Sequence, residues 1–217
     1  MPITNSVRKV LVNIERIKIL RDLSLIDSPT ETIYDRFTQL ASDIIGAPVS
    51  LVSMVAADYQ FFKSQVGLPE PWSTSRRTPL SHSFCQHVVA TQEPLIVTDA
   101  RENDLVKDNL AILDLNVIGY LGMPLTMSDG SSLGSFCVID SAPRKWQDIE
   151  IEIMRHLSEI VCAEIDARAH ARINRHNPAE LAEFHKNLDE IITQLKPIKD
   201  KERFLERVKE LREMHNI

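Results

Sequence analysis

The residues of this chain best suited to chemistry gather in Ser83-Phe84-Cys85-Gln86-His87, with His82 just ahead of them. Ser83 with Gln86 three residues later has the spacing of a capping box and predicts a short helix starting at Ser83. Cys85 would then lie in the first helical turn, where unpaired N–H groups and the helix dipole favour a thiolate. Such a thiol suits redox sensing or covalent attachment of a ligand. The competing reading, the commoner fate of a free cysteine, is a small hydrophobe in the core. His87 follows Cys85 by two residues, which on a helix points the side chains apart and disfavours a Cys–His dyad. A zinc site needs three or four ligands. His82, Cys85 and His87 supply only part of one, and the chain has no CxxC or HExxH.

Other polar candidates have plain structural explanations beside the functional ones. Asp99 and Arg101, with Glu102 and Asp104 nearby, form a loop that can bind polar ligand groups. The favoured reading of that loop is local ion pairing and capping of the next helix. Lys63 can face a pocket or solvent, and Arg76-Arg77 reads as the solvated tip of a polar loop. Gly119 and Gly122 within a strand indicate a bulge or a close backbone approach, such as one to a ligand. Phe62, Phe84, Tyr120 and Met123 are candidates to line an apolar cavity, or else simply fill the core. His185 lies in Phe184-His185-Lys186-Asn187-Leu188, which does not match a phosphoacceptor helix, and no Walker or Rossmann fingerprint occurs.

The elements that must position these residues follow from periodicity. Apolar spacing over 5–23 predicts one amphipathic helix, and a second runs from Thr30 or Thr32 to about Ile44, ending at Gly46-Ala47-Pro48. Val49 to Val55 and Tyr59 to Val66 read as a hairpin around Ala56-Ala57-Asp58, followed by a loop over 67–78. Leu95 to Val97 is a short strand. Residues 99–116 are irregular, with a helix expected over 105–113. Ile118–Leu125 and Ser132–Asp140 form a last hairpin around Asp129-Gly130. From Gln147 the pattern turns helical, with Ile153, Met154, Leu157, Ile160, Val161 and Ile165 as its apolar stripe. Asn177 is a candidate cap with Pro178 at the first position of the next helix. Helices over 179–195 and 199–214 then form a hairpin expected to dock on the domain, on the long helix or on a second chain. The expected divisions are an N-terminal helix over 1–24, a globular unit over 25–166 and a helical extension over 167–217.

Bulk properties bound the function. The 217 residues are 43% hydrophobic, enough for a normal core, and the formal charge of −6 argues against a nucleic-acid surface. Residues 166–217 carry a net +1 and leave −7 on the remainder, so the globular unit is the acidic part. Three widely spaced cysteines do not suggest a disulfide framework. No signal peptide and no run of about 18 apolar residues is present, so a soluble cytoplasmic protein without membrane contact is expected.

Four words carry a resemblance: Ser83-Phe84-Cys85-Gln86-His87, Val97-Thr98-Asp99-Ala100-Arg101, Gly119 to Leu125, and Leu133 to Asp140. In this order they resemble the GAF family of small-molecule sensor domains, in a subgroup common at the N-terminal side of bacterial signalling proteins. The resemblance covers roughly residues 20 to 166 and implies an α+β fold. That fold is a six-stranded antiparallel sheet with helices packed on it and a ligand cavity in front. The cavity would be walled by the Cys85 helix, the Asp99 loop and the strand at Gly122, which makes Phe62, Phe84, Cys85, His87, Asp99, Tyr120 and Met123 the implied ligand-binding set. Specialised relatives fit less well. The cyclic-nucleotide signature is missing, Cys85-Gln86-His87 replaces the adjacent Cys-His pair of bilin binders, and Asn116–Leu125 lacks the catalytic cysteine of free-methionine sulfoxide reductases. No cofactor is named by these motifs.

The expected function is therefore a non-catalytic sensor that binds an unidentified small molecule and signals through its flanking helices to a downstream protein. A homodimer is expected through the Ile153–Ile165 stripe and the N-terminal helix. The alternatives are a thiol-based redox sensor or reductase using Cys85, and a ligand-free scaffold whose helical tail binds a partner.

Overall fold

The computed structural model describes residues 5–173 and 178–217. Asn177 lies outside them. Six antiparallel strands form one sheet in the order β3-β2-β1-β6-β5-β4: β1 (Val49–Val55), β2 (Tyr59–Val66), β3 (Arg77–Pro79), β4 (Leu95–Val97), β5 (Gly119–Thr126) and β6 (Ser132–Asp140). The fold is α+β, as expected, and the strands over 49–55, 59–66, 95–97 and 132–140 stand where their alternation and turn residues place them.

Both faces of the sheet are buried. The back face, with Val52, Met54, Leu121, Met123, Phe136 and Val138, packs against α3 (Thr32–Ile45) and α7 (Asp148–Ile173). The front face, with Leu51, Val55, Phe62, Tyr120, Cys137 and Ile139, lies under α5 (Cys85–Thr91) and the segment over 99–117. Because successive strand residues point to opposite faces, Tyr120 faces front and Met123 faces back.

The single helix expected over 5–23 is two helices, α1 (Asn5–Leu11) and α2 (Ile14–Asp22). Leu11 belongs to the front core and Leu20 to the back, so the chain has to turn between them. Asn13 caps α2 by accepting from the Arg16 N–H at 3.1 Å. The buried Arg16 guanidinium donates to Leu11 O at 2.7 Å and to Val55 O at 2.6 Å, which fastens the turn to β1.

The expected loop over 67–78 contains α4 (Trp72–Ser75) and leads into β3. Of its two arginines, Arg77 is exposed as expected, but Arg76 is not a solvated tip. Arg76 donates to Ser28 O, Phe62 O and Lys63 O at 2.9 to 3.1 Å. Arg77 pairs with Asp27 and stacks on Tyr59. A register shift between β1 and β2 explains the neighbouring lysine: Val52 faces Ser64 and Ser53 faces Phe62, leaving Lys63 as the extra residue. Lys63 reaches neither pocket nor solvent. Its ammonium is wholly buried and donates to Ser24 O, Ser28 Oγ and Pro29 O beside Glu31.

The helix expected over 105–113 is only the short α6 (Ala111–Asp114), and the residues before it form hydrogen-bonded turns. The tail forms α8 (Pro178–Leu195) and α9 (Lys201–His215), and it docks on this same chain. Leu188, Ile191, Leu195, Phe204, Val208 and Leu211 are fully buried in one cluster with α3 and α7. That packing corrects the expected dimer seam, because Ile153, Met154, Leu157, Ile160 and Val161 are already at zero exposure within one chain. Polar contacts fix the dock: Glu164 accepts from His185, Arg36 pairs with Asp189, and Lys201 meets Glu150 at 2.5 Å.

Candidate functional site

The candidate site is the interior of the front face. Its floor is Leu51, Phe62, Tyr120, Cys137 and Ile139 from the sheet, and Phe84 with Cys85 forms one wall. Leu68, His82, Ala111, Leu115 and Val117 close it from the loop side. The space between them is about 20 Å³, room for about one water molecule.

Local sequence sets the wall. The Ser83 hydroxyl accepts from the Gln86 N–H at 3.1 Å, as the capping spacing predicts, and donates to Gln60 Oε1 at 2.6 Å. The Gln86 amide turns back to Leu80 O and Ser83 O at 2.9 and 2.7 Å, so it braces the carbonyls rather than an N–H. Phe84 is thereby held against Tyr120 with ring centroids 5.3 Å apart. Gly122 makes the room. A Cβ there would stand 2.6 Å from the Tyr120 ring, so the close approach anticipated at this glycine is to Tyr120.

The covering segment is pinned by a few polar contacts. His82 Nε2 lies 2.8 Å from Asp114 Oδ2, Asn109 donates to Ser83 O at 3.1 Å, and Leu110 N donates to Ser81 O at 3.0 Å. Trp72 rests against the His82 ring at 5.4 Å.

Of the seven expected ligand-binding residues, Phe62, Phe84, Cys85 and Tyr120 converge on this space. The other three do not. Met123 is on the back face, where it borders a separate surface cleft with Arg155 and Cys162. Asp99 is locked to Arg101, whose guanidinium donates to it at 2.5 and 2.8 Å. His87 is half-buried on α5, away from the cavity lining, and burial holds its pKa below the usual histidine value.

The floor also holds a group that the motifs alone do not reveal. The Cys85 thiol lies 3.3 Å from the Tyr120 hydroxyl, which lies 3.3 Å from Ser135 Oγ. Cys137, Ser53 and Ser135 act on the ionisation of the same sulfur. The Cys137 thiol outweighs burial in lowering the Cys85 pKa to about 7, helped by Tyr120, Ser53 and Ser135. Burial drives Cys137 and Tyr120 well above their ordinary values, and Cys162 up to about 12. Strand parity was the available signal, since Ser135, Cys137 and Ile139 share a face two residues apart. Among the described residues, no three His, Cys, Asp or Glu side chains converge as a metal site, and no helix is long and apolar enough to cross a membrane.

Comparison with known proteins agrees with this fold. A cyclic di-GMP phosphodiesterase of Pseudomonas aeruginosa is 27% identical over 145 residues, which are 66% of this chain and 24% of the phosphodiesterase. The chain thus spans about a quarter of that relative's length. The blue-light absorbing form of the Thermosynechococcus elongatus PixJ GAF domain superposes with a TM-score of 0.52 at 17% identity, covering 76% of this chain and 99% of that one. A domain of a putative two-component sensor histidine kinase from Sinorhizobium meliloti gives 0.52 at 17% identity, over 67% and 96%. A free methionine-R-sulfoxide reductase from Neisseria meningitidis gives 0.52 at 13% identity, over 71% and 89%. These three structures share the fold. The GAF family profile matches residues 29–165, well over half of the sequence, and the chain belongs to the GAF domain family.

Proposed function

We propose that this chain is a non-catalytic sensing module of a cytoplasmic signalling protein. It binds a small molecule at the front face and passes the change to a partner through α7 and the tail helices. The observation that carries this reading is the construction of the front face. Phe62, Phe84 and Tyr120 lie beneath a segment whose side-chain polar contacts to the rest of the front face are few, among them His82–Asp114 and Asn109–Ser83. The space of about 20 Å³ represents the closed form, and a ligand acts by favouring a form with the segment lifted. Similarity to one part of a signalling phosphodiesterase supports a regulatory role beside other domains. A two-fold contact, if the protein pairs, would use surface other than the covered α7 stripe. Among the described residues, Val12 and Ile14, 47% and 80% exposed where α1 gives way to α2, are large apolar side chains available on the N-terminal side.

The small size of the cavity favours a second reading, the ligand-free scaffold, in which these side chains are simply core. A thermal-shift screen against small metabolites separates the two. A ligand at a hundred times its Kd stabilises by about 2.7 kcal/mol, which raises Tm by roughly 5–10 °C in a protein of this size. The sensor reading predicts such a shift in the parent and its loss in Leu115→Trp, which plugs the cavity from the half-buried rim. Absence of any shift across the panel favours the scaffold.

A further inference from the structure

Cys85 and Cys137, more than fifty residues apart in the chain at the start of α5 and the middle of β6, line the same small cavity. Both are free and buried, at 2% and 0% exposure. Tyr120 holds them in register. Its ring crosses Gly122, the residue paired with Cys137 across β5 and β6, and its hydroxyl reaches Cys85 Sγ at 3.3 Å. The cavity that both thiols border admits a molecule about the size of water. In this form that suits hydrogen peroxide better than a metabolite-sized oxidant. Leu68 and Leu115, half-buried residues of the covering loops, line the same cavity on its loop side.

We propose that Cys85 and Cys137 are a peroxide-reactive dithiol that closes to an intramolecular disulfide. The Cys85 thiolate attacks one oxygen of hydrogen peroxide and the O–O bond breaks, leaving Cys85 as the sulfenic acid and releasing hydroxide. The hydroxide takes the Cys137 proton and becomes water. The Cys137 thiolate then attacks the Cys85 sulfur, the S–O bond breaks, and the departing hydroxide takes up the proton that Cys85 first shed. Two thiols and one peroxide thus give one disulfide and two waters, with the two electrons passing from sulfur to peroxide oxygen. Hydrogen bonds around Cys85 favour its ionisation, whereas burial keeps Cys137 protonated until it is needed. The bond would tie α5 to the sheet and fix the cavity shut. This inference does not depend on any ligand binding there.

Cys162, on α7 behind the sheet, is the internal control. The test is to reduce the full chain, treat it with hydrogen peroxide under native conditions, alkylate it, and map it without reduction. Free thiols should fall from three to one, with the Cys85 peptide joined to the Cys137 peptide and Cys162 alkylated. Cys85→Ser should keep both of its remaining thiols. Cys137→Ser should stop at a trappable sulfenic acid on Cys85. Three free thiols after treatment, oxidation at Cys162 ahead of the pair, or linkage only after denaturation would each overturn the proposal. The mapping of the parent chain decides the matter even if neither serine variant folds.

Discussion

Gly122 controls the front face through what it lacks. The Tyr120 ring occupies the space a side chain would fill, and from there its hydroxyl reaches Cys85 and Ser135. Gly122→Ala should therefore destabilise the fold by about 1–3 kcal/mol, the usual cost of overpacking, as read by urea denaturation. In a Tyr120→Leu background the same change should cost less, because the atoms it meets are gone. Equal costs in both backgrounds would contradict this account of the glycine. The placement of Phe84, Cys85 and Tyr120 was legible from the motif words, and that of Phe62 from the hairpin strand before them. The misplacement of Met123 was avoidable, since it lies three residues from Tyr120 on one strand and such residues point to opposite faces. The same parity could have disclosed Cys137. Lys63 and Arg76 were not legible, because their positions follow from a register shift that leaves no local mark in the sequence.

At the scale of elements, the tail helices are part of the core. Glu150 joins the start of α7 to α9: its carboxylate accepts from Gln147 N at 3.0 Å, from Arg144 at 2.7 Å and from Lys201 at 2.5 Å. Burial pushes its pKa up, but Gln147, Lys201 and Arg144 together hold it below the ordinary value of 4.5. A carboxylate whose folded pKa is depressed contributes stability that is full above its unfolded pKa and is lost as pH falls through the folded one. Denaturation midpoints should thus drop as pH falls below about 4.5. Glu150→Gln should cost roughly 1.5–3 kcal/mol at neutral pH and flatten that acid limb. An unchanged limb in the variant would remove Glu150 from this role. Helix positions in the tail were readable from spacings of three and four. Their docking site was not, because the stripe from Ile153 to Ile165 reads equally well as a seam for another chain or for the protein's own tail.

At the scale of the whole molecule, the sheet separates two regions with different work. Behind it, α3, α7, α8 and α9 share one continuous core. In front, a small space is closed by α5 and a segment fixed at a few polar points. The strands Leu51–Met54, Tyr120–Met123 and Phe136–Val138 contribute alternate residues to both regions, which is the route the proposed sensing role would use. The central claim is that the front face takes up a small molecule. Native mass spectrometry of the full chain with a panel of small metabolites, run beside Leu115→Trp, tests it most directly. The account predicts one non-covalent adduct per parent chain, lost on denaturation and missing from the variant. A bare parent chain across the panel, or equal binding by the variant, would contradict it.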